Sequence, residues 1–143
     1  MYSVIETSGF QHKVTLGEIL KVPKLDQEAG SDHTYSNVLL HTNDTDSIIG
    51  TPHIEGSNVV VEVLSHGRAD KIRVFKKKRR KGYRRTQGHR QDFSEVIVKE
   101  INVSDSKEVV DEKVVLRARS RAKALNALKQ DQVKKTTPTP EEK

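Results

Sequence analysis

Apolar and polar positions alternate over most of the first hundred residues, in short runs separated by turn signals. Tyr2-Ser3-Val4-Ile5-Glu6 mixes aromatic and β-branched residues and stops before Ser8-Gly9. Gln11-His12-Lys13-Val14 reads as a second short strand, and Leu16-Gly17-Glu18 as a tight turn. Glu18 to Val22 follows, ended by Pro23, which has no N–H for a central ladder. Asp26 to Asp32 is a polar loop containing Gly30, and Tyr35 to Leu40 reads as one further strand. Asn43-Asp44-Thr45-Asp46-Ser47 is a turn, and Ile48-Ile49-Gly50-Thr51-Pro52 begins an irregular crossing. Asn58 to Leu64, with Val59, Val60, Val61 and Val63, is the most apolar strand.

Lys71 to Phe75 alternates again, and so does Phe93 to Ile101 apart from the apolar run at 96–98. Strand, intervening segment, strand reads as a hairpin. Its tip, from Lys76 to about Asp92, is far longer than the roughly 2–5 residues of an ordinary hairpin loop, and such loops are functional or disordered. The predicted fold class is mainly β: a small six-stranded barrel or sandwich with a long basic hairpin loop, plus a C-terminal helical extension. From Lys107 to Gln130, Val110, Val114, Ala118, Ala122, Leu125 and Leu128 recur at spacings of three and four, which is helical periodicity. Asp105 or Ser106 is the expected cap, and Thr136 to Lys143 the expected disordered tail. The chain thus divides into a body over residues 1–103, with its basic loop at 76–91, and an extension over residues 104–143.

Composition narrows the choices. A chain of 143 residues with 33% hydrophobic and 4% aromatic side chains holds one modest core of Val, Ile and Leu. The absence of Cys removes disulfides, thiolate nucleophiles and Cys-ligated zinc. The first residues resemble neither a secretory nor a transit peptide, and no window approaches the length of a membrane span. A soluble, unprocessed cytoplasmic protein is expected.

Charge changes the picture most. The net charge is +6, but residues 68–90 alone hold 12 Lys/Arg and a single acid, Asp70. That segment carries +11 and the remainder −5. One short cationic stretch on an otherwise acidic chain directs an anionic polymer to one place. Lys76-Lys77-Lys78-Arg79-Arg80-Lys81 puts six cations in a row, which repel one another and cannot be buried without counter-charge. Phosphates supply it, and their condensed counterions are released on binding. Arg79, Arg80, Arg84, Arg85 and Arg90 offer planar forks for phosphate oxygens, the lysines point charges. Tyr83 and His89 can stack on unpaired bases, and Gln87 and Gln91 can hydrogen-bond bases or 2′-hydroxyls. Gly82 and Gly88 allow close backbone approach to a ligand, while Arg68, Lys71 and Arg73 extend the basic face down the hairpin.

Met1-Tyr2-Ser3-Val4-Ile5-Glu6-Thr7-Ser8-Gly9 followed by Gln11-His12-Lys13-Val14 resembles the opening of the bacterial large-subunit ribosomal protein twenty-one family. Val74-Phe75-Lys76, Lys78 to Lys81, Tyr83-Arg84-Arg85 and Gly88-His89-Arg90-Gln91 are similar to that family's signature. Ile49-Gly50-Thr51-Pro52 and Glu55-Gly56 also sit at the expected places. The resemblance covers about residues 1–102. It departs at Ser8-Gly9-Phe10-Gln11, where Gly-Gly-Lys-Gln is common, and at His12. It implies a compact barrel-like body on the bacterial cytoplasmic ribosome, whose basic loop enters large-subunit ribosomal RNA. It also implies ribosomal protein twenty as a neighbouring protein. No membrane, small-molecule substrate, cofactor, metal or catalytic residue is implied.

Other chemistries find little support. The six histidines are scattered, with no pair three or four apart. Ser65 and His66 are adjacent, and on a strand adjacent side chains point to opposite faces. Two other readings stay open: a free-standing RNA regulator or chaperone, which needs an aromatic platform that three Tyr and three Phe do not evidently form, and a charge-driven binder of acidic partners. Arg117, Arg119, Arg121 and Lys123 on the helix read as a solvated face, with an added RNA or protein contact as the alternative.

Overall fold

A computed structural model describes residues 1–43, 46–103 and 106–136, without the side chains of 106, 126 and 129–136. The first sheet is built from β1 (Tyr2–Thr7), β2 (Phe10–Val14), β5 (Val38–Thr42) and β6 (Ser47–Ile49), in the order β2-β1-β5-β6. The second holds β3 (Ile19–Pro23), β4 (Asp32–Tyr35), β7 (Asn58–Arg68), β10 (Asp92–Val103) and β11 (Ser106–Val109). There β10 and β7 form the centre, β4 pairs the outer edge of β7, and β3 and β11 share the other edge of β10. A third pair, β8 (Ile72–Lys77) and β9 (Arg84–His89), stands apart as a ribbon, and α1 (Glu112–Thr136) closes the chain. Every pairing is antiparallel.

The expected strand content is there, but the six-stranded barrel is not: the described residues form eleven strands in two open sheets and a ribbon. The expected strand at Tyr35–Leu40 is two strands, β4 and β5, split at Ser36-Asn37, where the chain crosses from one sheet to the other. The expected helix at Lys107 begins later, because Ser106–Val109 pairs with Glu100–Val103 as β11. Asp105, the residues 44–45 of the Asn43–Ser47 turn and the tail at 137–143 lie outside the described residues.

One core holds the sheets together. Ile5, Val14 and Val38 from the first meet Val22, Val59, Val61, Val63, Val96, Val98, Ile101 and Val103 from the second. Two register shifts, one skipping Leu64 of β7 and one skipping Lys99 of β10, let both long strands keep their apolar residues inward over eleven and twelve residues. Each fully buried Val or Ile contributes about 1.5–3 kcal/mol.

The outer face of β7 and β10 is covered as well. Ile97 is fully buried there against Val115 and Ala118 of α1, with Leu64 and Val110 beside them. This accounts for the unbroken run Val96-Ile97-Val98: its members are buried on opposite faces. The inner stripe of α1 is Val115, Ala118 and Ala122, whereas Val114, Leu125 and Leu128 are exposed. The apolar spacing therefore indicated the helix but misplaced its buried face.

A carboxylate fixes the helix on the sheet. Glu62, on the same outer face, is completely buried and takes both forks of Arg119, with Nη2 to Oε2 at 2.8 Å. Lys99 Nζ stands 3.8 Å from Glu62 and 2.9 Å from Asp32. The hydrogen bonds that Arg119 donates to Glu62 raise the guanidinium pKa above its ordinary value. Of the four cations read as a solvated helix face, Arg119 is the exception.

Candidate nucleic-acid interface

The basic segment is not a loop. Ile72 pairs with His89, Arg73 with Gly88, Val74 with Gln87, Phe75 with Thr86, Lys76 with Arg85 and Lys77 with Arg84. Only the tip, Lys78 to Tyr83, turns, closed by a hydrogen bond from Lys78 N–H to Tyr83 O at 2.9 Å. Gly82 supplies one left-handed residue at no steric cost, while Arg80 is held in that region with φ 58°. At the foot, Ala69 N–H donates to Gln91 O at 2.8 Å, Arg90 Nε to Ala69 O at 3.1 Å, and Arg68 Nε to Asp92 Oδ1 at 2.7 Å. The body hairpin β7–β10 thus runs on into the ribbon β8–β9.

Pairing puts cations opposite cations at Lys76–Arg85 and Lys77–Arg84. Directly opposed like charges weaken a strand pair. Among the described residues nothing covers the ribbon in compensation: all of β9 and all of β8 but Val74 are exposed. A lone two-stranded hairpin is marginal in water at best. Among the described residues, no carboxylate is ion-paired with Lys76–Lys81, Arg84 or Arg85, and the only ion pair of the segment is Arg68–Asp92.

The remaining sequence-selected residues occupy distinct places. Lys78 Nζ lies 5.6 Å from the centroid of the Tyr83 ring, so a cation and an aromatic face sit together at the tip. Arg79, Arg80 and Lys81 are exposed in the same turn. His89 Nε2 and Gln91 Oε1 are 3.0 Å apart, which ties two of the expected base contacts to each other at the foot. Gly88 differs from expectation: the Lys71 stem crosses it, and an added Cβ would lie 2.2 Å from Lys71 Cε. Its open face receives the Lys71 side chain. Ile72 and Phe75, both more than half exposed on this charged ribbon, were not among the expected contacts. Apolar alternation leading into a charge run is the signal that marks them.

Ser65 and His66 point apart: Ser65 Oγ donates to Glu95 at 3.1 Å. His66 Nε2 can only donate to Gln27 O, 2.8 Å away, so its Nδ1 accepts from Ser94 Oγ at 2.8 Å. Ser94 in turn accepts from Leu25 N–H and is fully buried, so this Ser–His pair is a brace within the sandwich. Among the described residues no group of three His, Asp or Glu side chains is placed to hold a metal.

The family model described as ribosomal prokaryotic L21 protein matches residues 1–101. The chain belongs to the prokaryotic ribosomal protein L21 family. A protein of Pseudomonas aeruginosa (strain LESB58) called Large ribosomal subunit protein bL21 is 53% identical over 96 residues, covering 67% of this chain and 93% of that one. Proteins of the same name are 45% identical over 101 residues in Amoebophilus asiaticus and 47% over 102 in Psychromonas ingrahamii, covering 71% of this chain and 98% and 99% of theirs. Membership makes this a structural ribosomal protein and not an enzyme, placed on the ribosome of the bacterial cytoplasm. The matched region holds the first sheet, the whole ribbon and the second sheet up to Ile101 of β10, and stops before β11 and α1.

Proposed function

We propose that this chain is a structural constituent of the large ribosomal subunit and that the β8–β9 ribbon holds large-subunit ribosomal RNA. One observation carries the reading: the ribbon is paired, coreless and opposed cation to cation, and among the described residues it has no stabilising partner. Phosphate oxygens between its strands and beside its tip supply that partner, and the release of their counterions drives binding. Lys76, Lys77, Lys78, Arg79, Arg80, Lys81, Arg84, Arg85 and Arg90 hold phosphates. Tyr83 and His89 stack or wedge at the tip and foot, and Gln87 and Gln91 bond base edges or 2′-hydroxyls. Arg68, Lys71 and Arg73 carry the basic face down to the body, with Gly88 giving passage to the Lys71 stem. In the same reading residues 1–103 form the RNA-binding body and residues 104–143 an extension.

A free-standing RNA chaperone would present aromatic side chains on an open sheet face. The outer face of β7 and β10 is instead covered by α1. The resemblance to the family supports ribosomal protein twenty as the neighbour in the subunit. Salt dependence tests the ribbon. Binding of the full chain to large-subunit ribosomal RNA should weaken linearly on a log–log plot against salt. Replacing Arg84 and Arg85 by Ala should make the slope shallower by about 0.7–0.9 for each lost phosphate contact. An unaltered slope in the double variant would remove these two arginines from the interface.

A further inference from the structure

At the foot of the ribbon the two sheets leave a cleft of about 530 Å³ between the β1–β2 turn and the β3–β10 edge. Phe10, His12, Lys21, Pro23, Gln91 and Phe93 line it. A second hollow, lined by Lys21, Arg68, Gln91 and Phe93 among others, shares three of these residues and leads from the cleft onto the ribbon. We propose that this cleft receives one unstacked nucleobase of the RNA whose phosphates the ribbon holds, with Phe10 as its stacking surface. The proposal rests on the ribbon reading for its ligand.

Two observations point to a base. Phe10 is 60% exposed and follows a two-residue turn directly, paired with Thr7, so a planar aromatic face is held out beside the cleft. The turn is tight: Ser8 and Gly9 both take left-handed conformations, with φ 50° and 79°, and Thr7 pairs with Phe10. Phe93 forms part of the opposite wall, its ring lying over its cross-strand partner Gly67, where an added Cβ would be 2.8 Å away. The second observation is a polar atom without a partner: His12 Nε2 is shut off from solvent yet makes no hydrogen bond. A buried polar atom left unpaired costs about 1–3 kcal/mol, and because His12 lines the cleft, a turn of its ring towards that space would bring Nε2 to the edge of a base.

Charge decides between base and phosphate. Asp92 also lines the cleft, and its carboxylate is matched by Arg68 Nε at 2.7 Å. Lys21 is turned over the Phe93 ring, 5.0 Å from its centroid. The lining of the cleft itself carries one cation, Lys21, and one carboxylate, Asp92, beside its aromatic and hydrogen-bonding groups, a balance that suits a flat uncharged ring better than an anion. The excess cations lie outside, on the ribbon, where the phosphates of the same strand would run.

Phe10→Leu keeps an apolar side chain on an exposed turn and removes only the ring, whereas Phe10→Tyr keeps the ring. Both are compared with the unaltered full chain in binding to large-subunit ribosomal RNA across a range of salt. Phe10→Leu should weaken binding about 5- to 150-fold, the loss of one base–aromatic stack, with the salt slope unchanged, and Phe10→Tyr should bind as the unaltered chain does. Wild-type affinity in Phe10→Leu, or a shallower slope, overturns the proposal. If naked RNA is bound normally while incorporation into large subunits fails, the cleft receives a protein and the proposal also falls. The ribbon reading fails separately, through an unaltered slope in the Arg84, Arg85 double variant; a chain that ignores the RNA altogether overturns both.

Discussion

Ile97 gives the sharpest test of how the extension sits on the family body. Its side chain is fully buried on the face of β10 that α1 covers, touching Val115 and Ala118. Ile→Ala at a buried site costs about 2–5 kcal/mol, and the lower half of that range applies where the surroundings can close over the space. Here one wall is a single helix seated on small residues, so a loss of about 2–3 kcal/mol is expected. In a chain ending at Val109 the same side chain faces water, and the substitution should cost under about 0.5 kcal/mol. That shorter chain is a fair background, because the Amoebophilus asiaticus relative is matched over 98% of its length by only 101 residues. Urea unfolding of the four proteins measures the coupling, expected to be about 2 kcal/mol. Equal losses in the long and short chains would mean that Ile97 is not buried by the helix, and the two-faced sheet would have to be abandoned.

Two further outcomes follow from burial elsewhere. Burial pushes the Tyr35 phenol above its ordinary value, the Thr7 side chain pulling the other way. The folded state therefore holds this proton more tightly, so the associated stability is complete below the unfolded value of about pH 10 and is lost as pH rises above it towards the folded value. Chemical denaturation at alkaline pH should show a steeper loss for the unaltered chain than for Tyr35→Phe; parallel curves would contradict it. Gly50→Ala places a Cβ 2.6 Å from the backbone carbon of His53, and this overpacking should cost about 1–3 kcal/mol in urea unfolding, whereas no measurable change would show that the turn relaxes freely.

Much of the body was legible in the sequence because its strands obey alternation. Val59, Val61 and Val63 point one way and share a core with Val96 and Val98. What escaped reading depended on contacts distant in the chain. Tyr35 to Leu40 looks like one strand, since nothing in Ser36-Asn37 shows that the chain changes sheets there. The apolar run at 96–98 broke the alternation, and its cause, a helix beginning fifteen residues later at Glu112, leaves no local trace. Lys76 to Gln91 was read as loop because its residues lack the apolar pattern of a strand. The pairing of β8 with β9 is dictated by continuity with the β7–β10 hairpin beneath it and not by the propensities of Arg84 to His89. Phe10 and Phe93 are too far apart in sequence for their shared cleft to be visible there.

The site was legible as chemistry before it was legible as geometry. Six adjacent cations announce a polyanion whatever their conformation. The structure adds that Lys76 and Lys77 end one strand of a ribbon opposite Arg85 and Arg84 on the other, while Lys78 to Lys81 turn at the tip with an aromatic ring beside Lys78. A ribbon can reach between RNA strands where a broad charged face would remain outside them. The buried Glu62–Arg119 pair shows the opposite use of charge in the same chain. There the desolvated carboxylate has its partner within the protein, and the helix is fixed in one position on the sheet.

Reaction of the ribbon's lysines with an amine-specific reagent, followed by mass spectrometry, probes that difference most directly. Lys76, Lys77, Lys78 and Lys81 are all exposed in the chain by itself. They should be modified readily in the free protein and be strongly protected in assembled large subunits, while exposed lysines on the far side of the body change less. Equal modification of these four lysines in the free chain and in the subunit would mean that the ribbon does not lie among RNA phosphates.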